Sequence, residues 1–278
     1  MASFSLTPER RETFERDGML FVPGFFAPGD MAALADVLWT DLRKRFGIER
    51  HGPQTWRDQR PAQFKALTRS GVFDVLRPGL AALADGFFGA GNWEQHFGGP
   101  LVTFPTGDWA VPHNVWHLDS TPSDYANELK IIRVFTFLEP VHPRGGGTCY
   151  VEGSNRVVMD RVRNAVPGEP LRSADIKAIL QREEPWFRSL FSRGGEDRER
   201  RFMVEGGTAR GVAVRVKELT GQPGDVHVMH PAMLHTIAGN ALDRPRMMLA
   251  FPLVNRTRIA DGNEMLLCAQ RTIEPPKA

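Results

Sequence analysis

His117 and Asp119 stand two residues apart in Trp116-His117-Leu118-Asp119-Ser120. In an extended strand, side chains at i and i+2 leave the same face, about 6–7 Å apart at Cα. An imidazole and a carboxylate would therefore project together, while Leu118 turns the other way into apolar packing. One histidine and one carboxylate make an incomplete metal site. A second histidine would complete a 2-His-1-carboxylate face, the arrangement that leaves positions open on a non-heme Fe(II). The second histidine has three candidates, His227, His230 and His235, all in the stretch from Gly224-Asp225 to His235. His227 and His230 have opposite parity and cannot share a face of one regular strand. Pro231 ends or bends that strand, so His235 lies past the bend. Periodicity alone does not choose among the three.

Arg246 opens the run Met247-Met248-Leu249-Ala250-Phe251. An arginine turned inward from so apolar a strand carries a costly buried charge unless it meets an anion. Its planar fork suits a carboxylate held by two hydrogen bonds. The competing reading is an arginine at an exposed strand end.

These residues need elements to position them. Thr7-Pro8-Glu9 carries a threonine N-cap, proline at N1 and an acid in the first turn, which predicts a helix to about Arg16, stopped at Asp17-Gly18. Met19–Val22 reads as a short buried strand. A second helix, after Pro28-Gly29-Asp30, places Met31, Leu34, Leu38 and Leu42 on one stripe and ends at Gly47. Residues 48–70 read as irregular, 72–88 as a helix interrupted or restarted at Pro78-Gly79, and 89–99 as loop. Beyond residue 100 the texture changes to short apolar or alternating runs punctuated by Gly, Pro and Asp: Leu101–Phe104, Trp116–Asp119, Lys130–Leu138, Thr148–Val151, Gly211–Leu219, Asp225–Met229 and Arg246–Val254. Such spacing predicts a β-sandwich or barrel, and the class is α+β on a double β-sheet. The insertion at 156–205, helical around Ser173–Arg182, is long for a connection between core strands and reads as a mobile cover over the site. Its run Arg198-Glu199-Arg200-Arg201 reads as a solvated face.

The chain of 278 residues is 41% hydrophobic and 24% charged, with net charge +2, the composition of an ordinary globular protein. That balance argues against nucleic acid or a membrane surface as partner. Two cysteines, Cys149 and Cys268, provide no disulfide framework and suit a reducing compartment. The N-terminus turns charged before an apolar run develops, and no stretch is apolar enough to span a bilayer. A cytoplasmic protein is expected, with residues 1–278 as one domain: a helical part at about 1–99 and a β core at about 100–255.

His117-x-Asp119, Gly145-Gly146-Gly147-Thr148 with Gly153-Ser154, Gly224-Asp225 with His230-Pro231 and His235, Asn240 and Arg246 together resemble the phytanoyl-CoA dioxygenase family across roughly residues 10–255. The resemblance implies a double-stranded β-helix (a jelly-roll, cupin-like core) and an Fe(II)- and 2-oxoglutarate-dependent oxygenase. It implies His117, Asp119 and His235 as iron ligands, and Arg246 as the partner of the distal carboxylate of 2-oxoglutarate. It further implies oxidative decarboxylation to succinate and CO2, coupled to attack on a C–H bond of a small molecule such as a carboxylate or CoA ester. O2 is the other substrate it implies, and ascorbate the reductant in vitro. The chain departs from the family at Ile237, where a serine often contacts 2-oxoglutarate; Thr148 is the substitute expected here. Asn155 also departs from the family's Gly-Ser-His. The related halogenases have a small residue in place of the carboxylate, so Asp119 favours hydroxylation.

Trp93, His96, Trp109, His113, Trp116 and Tyr150 flank the ligand-bearing segments as candidate pocket residues, with core packing the more common fate of each. Two other classes use a similar ligand set or fold. A cupin-like metal isomerase or hydrolase has no need of Arg246, and a silent ligand-binding module has no need of three ligands.

Overall fold

The computed structural model describes residues 4–57, 61, 64–96, 98–166 and 171–257. The helix α1 (Pro8–Asp17) begins where Thr7 accepts the Arg10 N–H. It ends at Gly18, whose φ of 75° is cheap only without a Cβ. Strand β1 (Met19–Val22) follows at once, and α2 (Pro28–Phe46) buries Met31, Leu34, Leu38 and Leu42 along one stripe before its left-handed stop at Gly47. Pro28 is already inside this helix, as N1 proline permits. A short α3 (Lys65–Arg69) and a 3-10 turn at Val72–Leu76 precede α4 (Arg77–Phe88), which restarts at Pro78 because a proline is tolerated only in a first turn.

The β elements are β2 (Trp93–Gln95), β3 (Gly99–Thr103), β4 (Ile131–Phe137), β5 (Cys149–Glu152), β6 (Gly207–Ala209), β7 (Val212–Glu218), β8 (Val226–Met229), β9 (His235–Thr236) and β10 (Arg246–Asn255). One sheet runs β1-β8-β4-β10-β2, with β3 also on β10; the other runs β6-β7-β5-β9. His117 bridges His235 at the open edge of the second sheet. Every pairing is antiparallel, and the chain passes back and forth between the sheets, which makes a jelly roll with helices on its outer faces.

Strand alternation sorts the side chains into three cores. Ile132, Val134, Val226, Val228, Leu249 and Phe251 leave the outer face of the first sheet and pack on α2 and α4. Phe135, Phe137, Met229, Met248 and Tyr150 fill the space between the sheets. Cys149, Val151, Val214 and Val216 leave the outer face of the second sheet and meet the insertion.

Five expectations change here, the first being α3, a helix inside residues 48–70 that read as irregular. Trp116–Asp119 is not a strand: only the His117–His235 bridge forms, because among the described residues no strand pairs along the rest of the segment. Alternation nevertheless survives, with Trp116 and Leu118 in the outer core. Residues 89–99 include β2, whose three residues gain strand geometry only from pairing with β10. The insertion begins as helix α5 (Ser154–Arg163) and continues with α6 (Ser173–Glu183) and α7 (Pro185–Leu190). It is not a loose cover, since Ile176, Leu180, Trp186, Phe187, Leu190 and Phe202 are buried against the second sheet. Nor is its charge run simply solvated: Arg198 donates to the carbonyls of Leu190, Ser192 and Pro112 and lies over the Phe202 ring. Cys149 is a buried free thiol; Cys268 lies outside the described residues.

Candidate metal centre

The bridge between residues 117 and 235 is what builds the site. It brings two segments of the chain side by side, hydrogen-bonded in both directions at 3.1 Å. His117 and Asp119 then project from one segment and His235 from the other. One ligating atom from each of the three lies within 4.8 Å of the other two. His117 Nε2 is 3.4 Å from Asp119 Oδ1, and His235 Nε2 is 3.2 Å from Asp119 Oδ2.

Both imidazoles are oriented the same way. His117 Nδ1 lies 2.9 Å from the Val115 carbonyl, and His235 Nδ1 lies 3.1 Å from that of Met233. A carbonyl only accepts, so each Nδ1 carries a proton, which leaves Nε2 as the ring nitrogen that turns to Asp119 and is available to a metal. Burial opposes protonation of His117, but Asp119 and the Val115 carbonyl outweigh it and raise its pKa. Burial dominates at His235 and lowers it. For Asp119, burial works toward the neutral acid; Arg133 first, then both histidines, hold the carboxyl well below its usual range. The site thus presents an ionised carboxylate and a neutral His235. Among the described residues this is the one His/Cys/Asp/Glu cluster with metal-ligand spacing.

The other two histidines are structural. His227 Nε2 meets the Thr220 carbonyl at 3.1 Å and its ring stacks near Phe21; burial pushes its pKa down to about 4. His230 Nδ1 accepts the Ala232 N–H at 3.0 Å inside the Pro231 turn, and burial takes it to about 3.

Arg246 is turned inward and buried. It donates to the Thr103 hydroxyl across the β3–β10 register and to Met248 Sδ at 3.6 Å, while its Nε meets no acceptor. Burial pushes its pKa down to about 10. Among the described residues no carboxylate touches this buried guanidinium, although Glu218 lies near enough to favour its charge, so its chemistry suits an anion. Thr148 is buried just before β5 and, by alternation with Cys149, faces the same inter-sheet space as Tyr150. The preceding glycines are held by Glu218, whose carboxylate accepts the N–H groups of Arg144 and Gly147. A side chain at Gly147 would overlap the Leu219 carbonyl.

Of the candidate pocket residues, Trp93 bonds Asp85 and Trp116 bonds the Pro112 carbonyl, and both pack in outer cores rather than between the sheets. Ile237 is exposed. Sequence reasoning missed Thr103 and Arg133. Arg133 was open to the argument used for Arg246: it is a lone charge within Ile131-Ile132-Arg133-Val134-Phe135.

No family model and no curated protein matches the sequence. Solved structures share its fold. EvdMO1 superposes with a TM-score of 0.56 at 19% identity, over 89% of this chain and 49% of its own, so this chain spans about half of that protein. HygX from Streptomyces hygroscopicus, solved with nickel and 2-oxoglutarate bound, gives 0.54 at 18% identity over 91% of this chain and 88% of its own. The epimerase SnoN, solved with Fe3+, alpha ketoglutarate and nogalamycin RO, gives 0.52 at 18% identity over 89% and 82%. Among the described residues no helix is long and apolar enough to cross a membrane.

Proposed function

We propose that residues 1–278 form one Fe(II)- and 2-oxoglutarate-dependent oxygenase domain of the phytanoyl-CoA dioxygenase type, hydroxylating an unactivated C–H bond of a small molecule in the cytoplasm. A carboxylate or CoA ester is the substrate class. The observation that carries this reading is the convergence of His117, Asp119 and His235, with both Nε2 atoms gathered about one carboxylate. Two imidazoles and one carboxylate suit Fe(II) and leave positions for further ligands. The bound metals and 2-oxoglutarate of HygX and SnoN support the same assignment.

When bound, iron and 2-oxoglutarate supply the oxidising chemistry, with O2 consumed and succinate and CO2 released. The chain's own residues do the rest. His117 and His235 are held in one tautomer by Val115 and Met233, and Asp119 brings the negative charge. Arg246 takes the distal carboxylate of 2-oxoglutarate, the counter-ion it otherwise lacks, with the Thr103 hydroxyl fixing its fork. Thr148 contributes a hydroxyl from the opposite sheet. The apolar side chains between the sheets keep water from this end of the pocket. His117, with 43% of its side chain exposed, marks the open side from which substrate enters.

The likeness to SnoN favours a second reading, in which hydrogen abstraction from the same site ends in epimerisation. Succinate formation with Fe(II), ascorbate and 2-oxoglutarate across a panel of small acids and their CoA esters tests the proposal. Product mass separates the two outcomes, since hydroxylation adds one oxygen and epimerisation none. No succinate above background with any substrate or in its absence, from metal-loaded protein, refutes both.

A further inference from the structure

Among the described residues Arg133 is the one cation in contact with the candidate metal ligands. Its Nη2 lies 2.6 Å from Asp119 Oδ2, closer than either histidine approaches that carboxylate. Among the described residues its guanidinium pairs with Asp119 alone. The backbone beneath it is rigid: β4 is flanked on both sides, with Arg133 registered against Met229 of β8 and Pro252 of β10. Ile132 and Val134 anchor the strand in the outer core, so Arg133 must point between the sheets. Its side chain is 17% exposed there. It is remote from the anion site at Arg246, because Pro252 lies six residues along β10 from that arginine, about 20 Å of strand.

A guanidinium beside a site for a dication opposes metal binding by simple Coulomb repulsion. Its position therefore needs a reason beyond affinity. Asp119 has two oxygens, and a carboxylate free to use both would occupy two coordination positions. With two histidines that leaves too few for a chelating 2-oxoacid together with O2. Arg133 engages one of those oxygens.

We infer that Arg133 is a positioning residue: by holding Oδ2, it makes Asp119 offer the metal one oxygen only and keeps the last coordination position open. This rests on the metal-centre reading above. A guanidinium suits the task because its fork is planar and always charged, so its hold on one oxygen survives the arrival of a metal on the other.

The test uses the full chain and Co(II), which is stable in air. Arg133→Met removes the charge and the donors at similar length, and Arg133→Lys keeps the charge without the fork. Co(II) affinity is read by titration calorimetry, 2-oxoglutarate affinity on the Co(II) protein, and ligation of Asp119 in crystals of each loaded variant. The expectation for Arg133→Met is Co(II) binding equal to or up to about tenfold tighter than the parent, with 2-oxoglutarate weakened about tenfold or more. Both Asp119 oxygens should reach the metal. Arg133→Lys should lie between the two. Asp119 ligating through one oxygen in Arg133→Met, with unchanged 2-oxoglutarate binding, overturns the inference. So does a parallel loss of metal and 2-oxoglutarate in both variants, which is what a merely structural arginine would give. A parent protein that binds no Co(II) or Ni(II) at all removes the metal-centre reading itself, and this inference with it.

Discussion

Replacing Arg246 with methionine should stabilise the ligand-free protein while abolishing its response to 2-oxoglutarate. Burial takes the guanidinium well below its ordinary value, down to about 10. At about 1.4 kcal/mol for each tenfold change in proton affinity, the charged form is destabilised in the fold by roughly 3 kcal/mol. The sign follows from linkage: a base whose pKa is lower folded than unfolded weakens the fold fully below the folded value, and the penalty fades only as pH rises through about 10 toward the unfolded value. At neutral pH it is present in full. Against this, the variant loses the donations to Thr103 and Met248, together about 1 kcal/mol net. Methionine replaces the stem of the side chain as far as Nε and shares the character of neighbouring Met248, so its flexible thioether limits the cavity left by the guanidinium. A net gain of about 2 kcal/mol corresponds to a melting temperature about 3 °C higher for a chain of this size. The assay is thermal unfolding at pH 7.5 with Ni(II), with and without 2-oxoglutarate. At a hundred times its Kd, 2-oxoglutarate should add about 2.7 kcal/mol to the parent and nothing to the variant. If Arg246→Met melts below the parent without ligand and still gains stability from 2-oxoglutarate, Arg246 is not the carboxylate partner.

His235→Ala should lose Ni(II) binding measured by calorimetry, whereas His227→Ala and His230→Ala should keep it and instead lose about 1–3 kcal/mol of stability from the backbone groups left unpaired; the reverse pattern would move the third ligand into the β8 segment. His227 and His230 are neutral in the fold down to about pH 4 and about pH 3, while the unfolded chain takes up both protons near 6.5. Their contribution is therefore complete above about pH 6.5 and is lost as pH falls from there, with a slope of up to about 1.4 kcal/mol per pH unit for each histidine. Urea midpoints between pH 7.5 and 4.5 should fall accordingly, and less steeply in His230→Gln. Ser173 Oγ accepts the N–H of Leu118, the residue between two ligands, at 2.8 Å; Ser173→Ala should weaken Ni(II) binding several-fold through about 1 kcal/mol of lost support, and an unchanged Kd would detach α6 from the site. Exchanging Ser173–Arg201 for a Gly/Ser linker should abolish the fold, since it strips Ile176, Leu180, Trp186, Phe187 and Leu190 from the second sheet; native near-ultraviolet circular dichroism in that variant would restore the reading as a detachable cover.

Local chemistry made much of this chain legible. The Thr7-Pro8 start and Gly18 stop of α1, the stripe of α2 and the two-residue repeat that turns His117 and Asp119 away from Leu118 all depend on interactions within a few residues of one another, and each is found as read. The residues left Arg246 between an inward charge seeking an anion and an exposed strand end; the resemblance favoured the first, and the fold buries it. The residues did not choose among His227, His230 and His235; a family resemblance did, and the geometry follows it. That choice belongs to tertiary structure: the Pro231 turn and the pairing of β9 with β5 and with His117 bring together residues far apart in the chain. The same long-range pairing creates β2 and β9, too short to have any propensity of their own, and denies strand status to Trp116–Asp119. It also packs the apolar side of the polar-looking insertion as a core layer, because Ile176, Leu180, Trp186, Phe187 and Leu190 meet a sheet that only folding supplies. Arg133 shows the boundary most clearly. Its buried placement could be read from Ile131–Phe135, but its partner, Asp119, could not, since a charge in a strand names the need for a counter-ion and only the closed sandwich decides which one answers it.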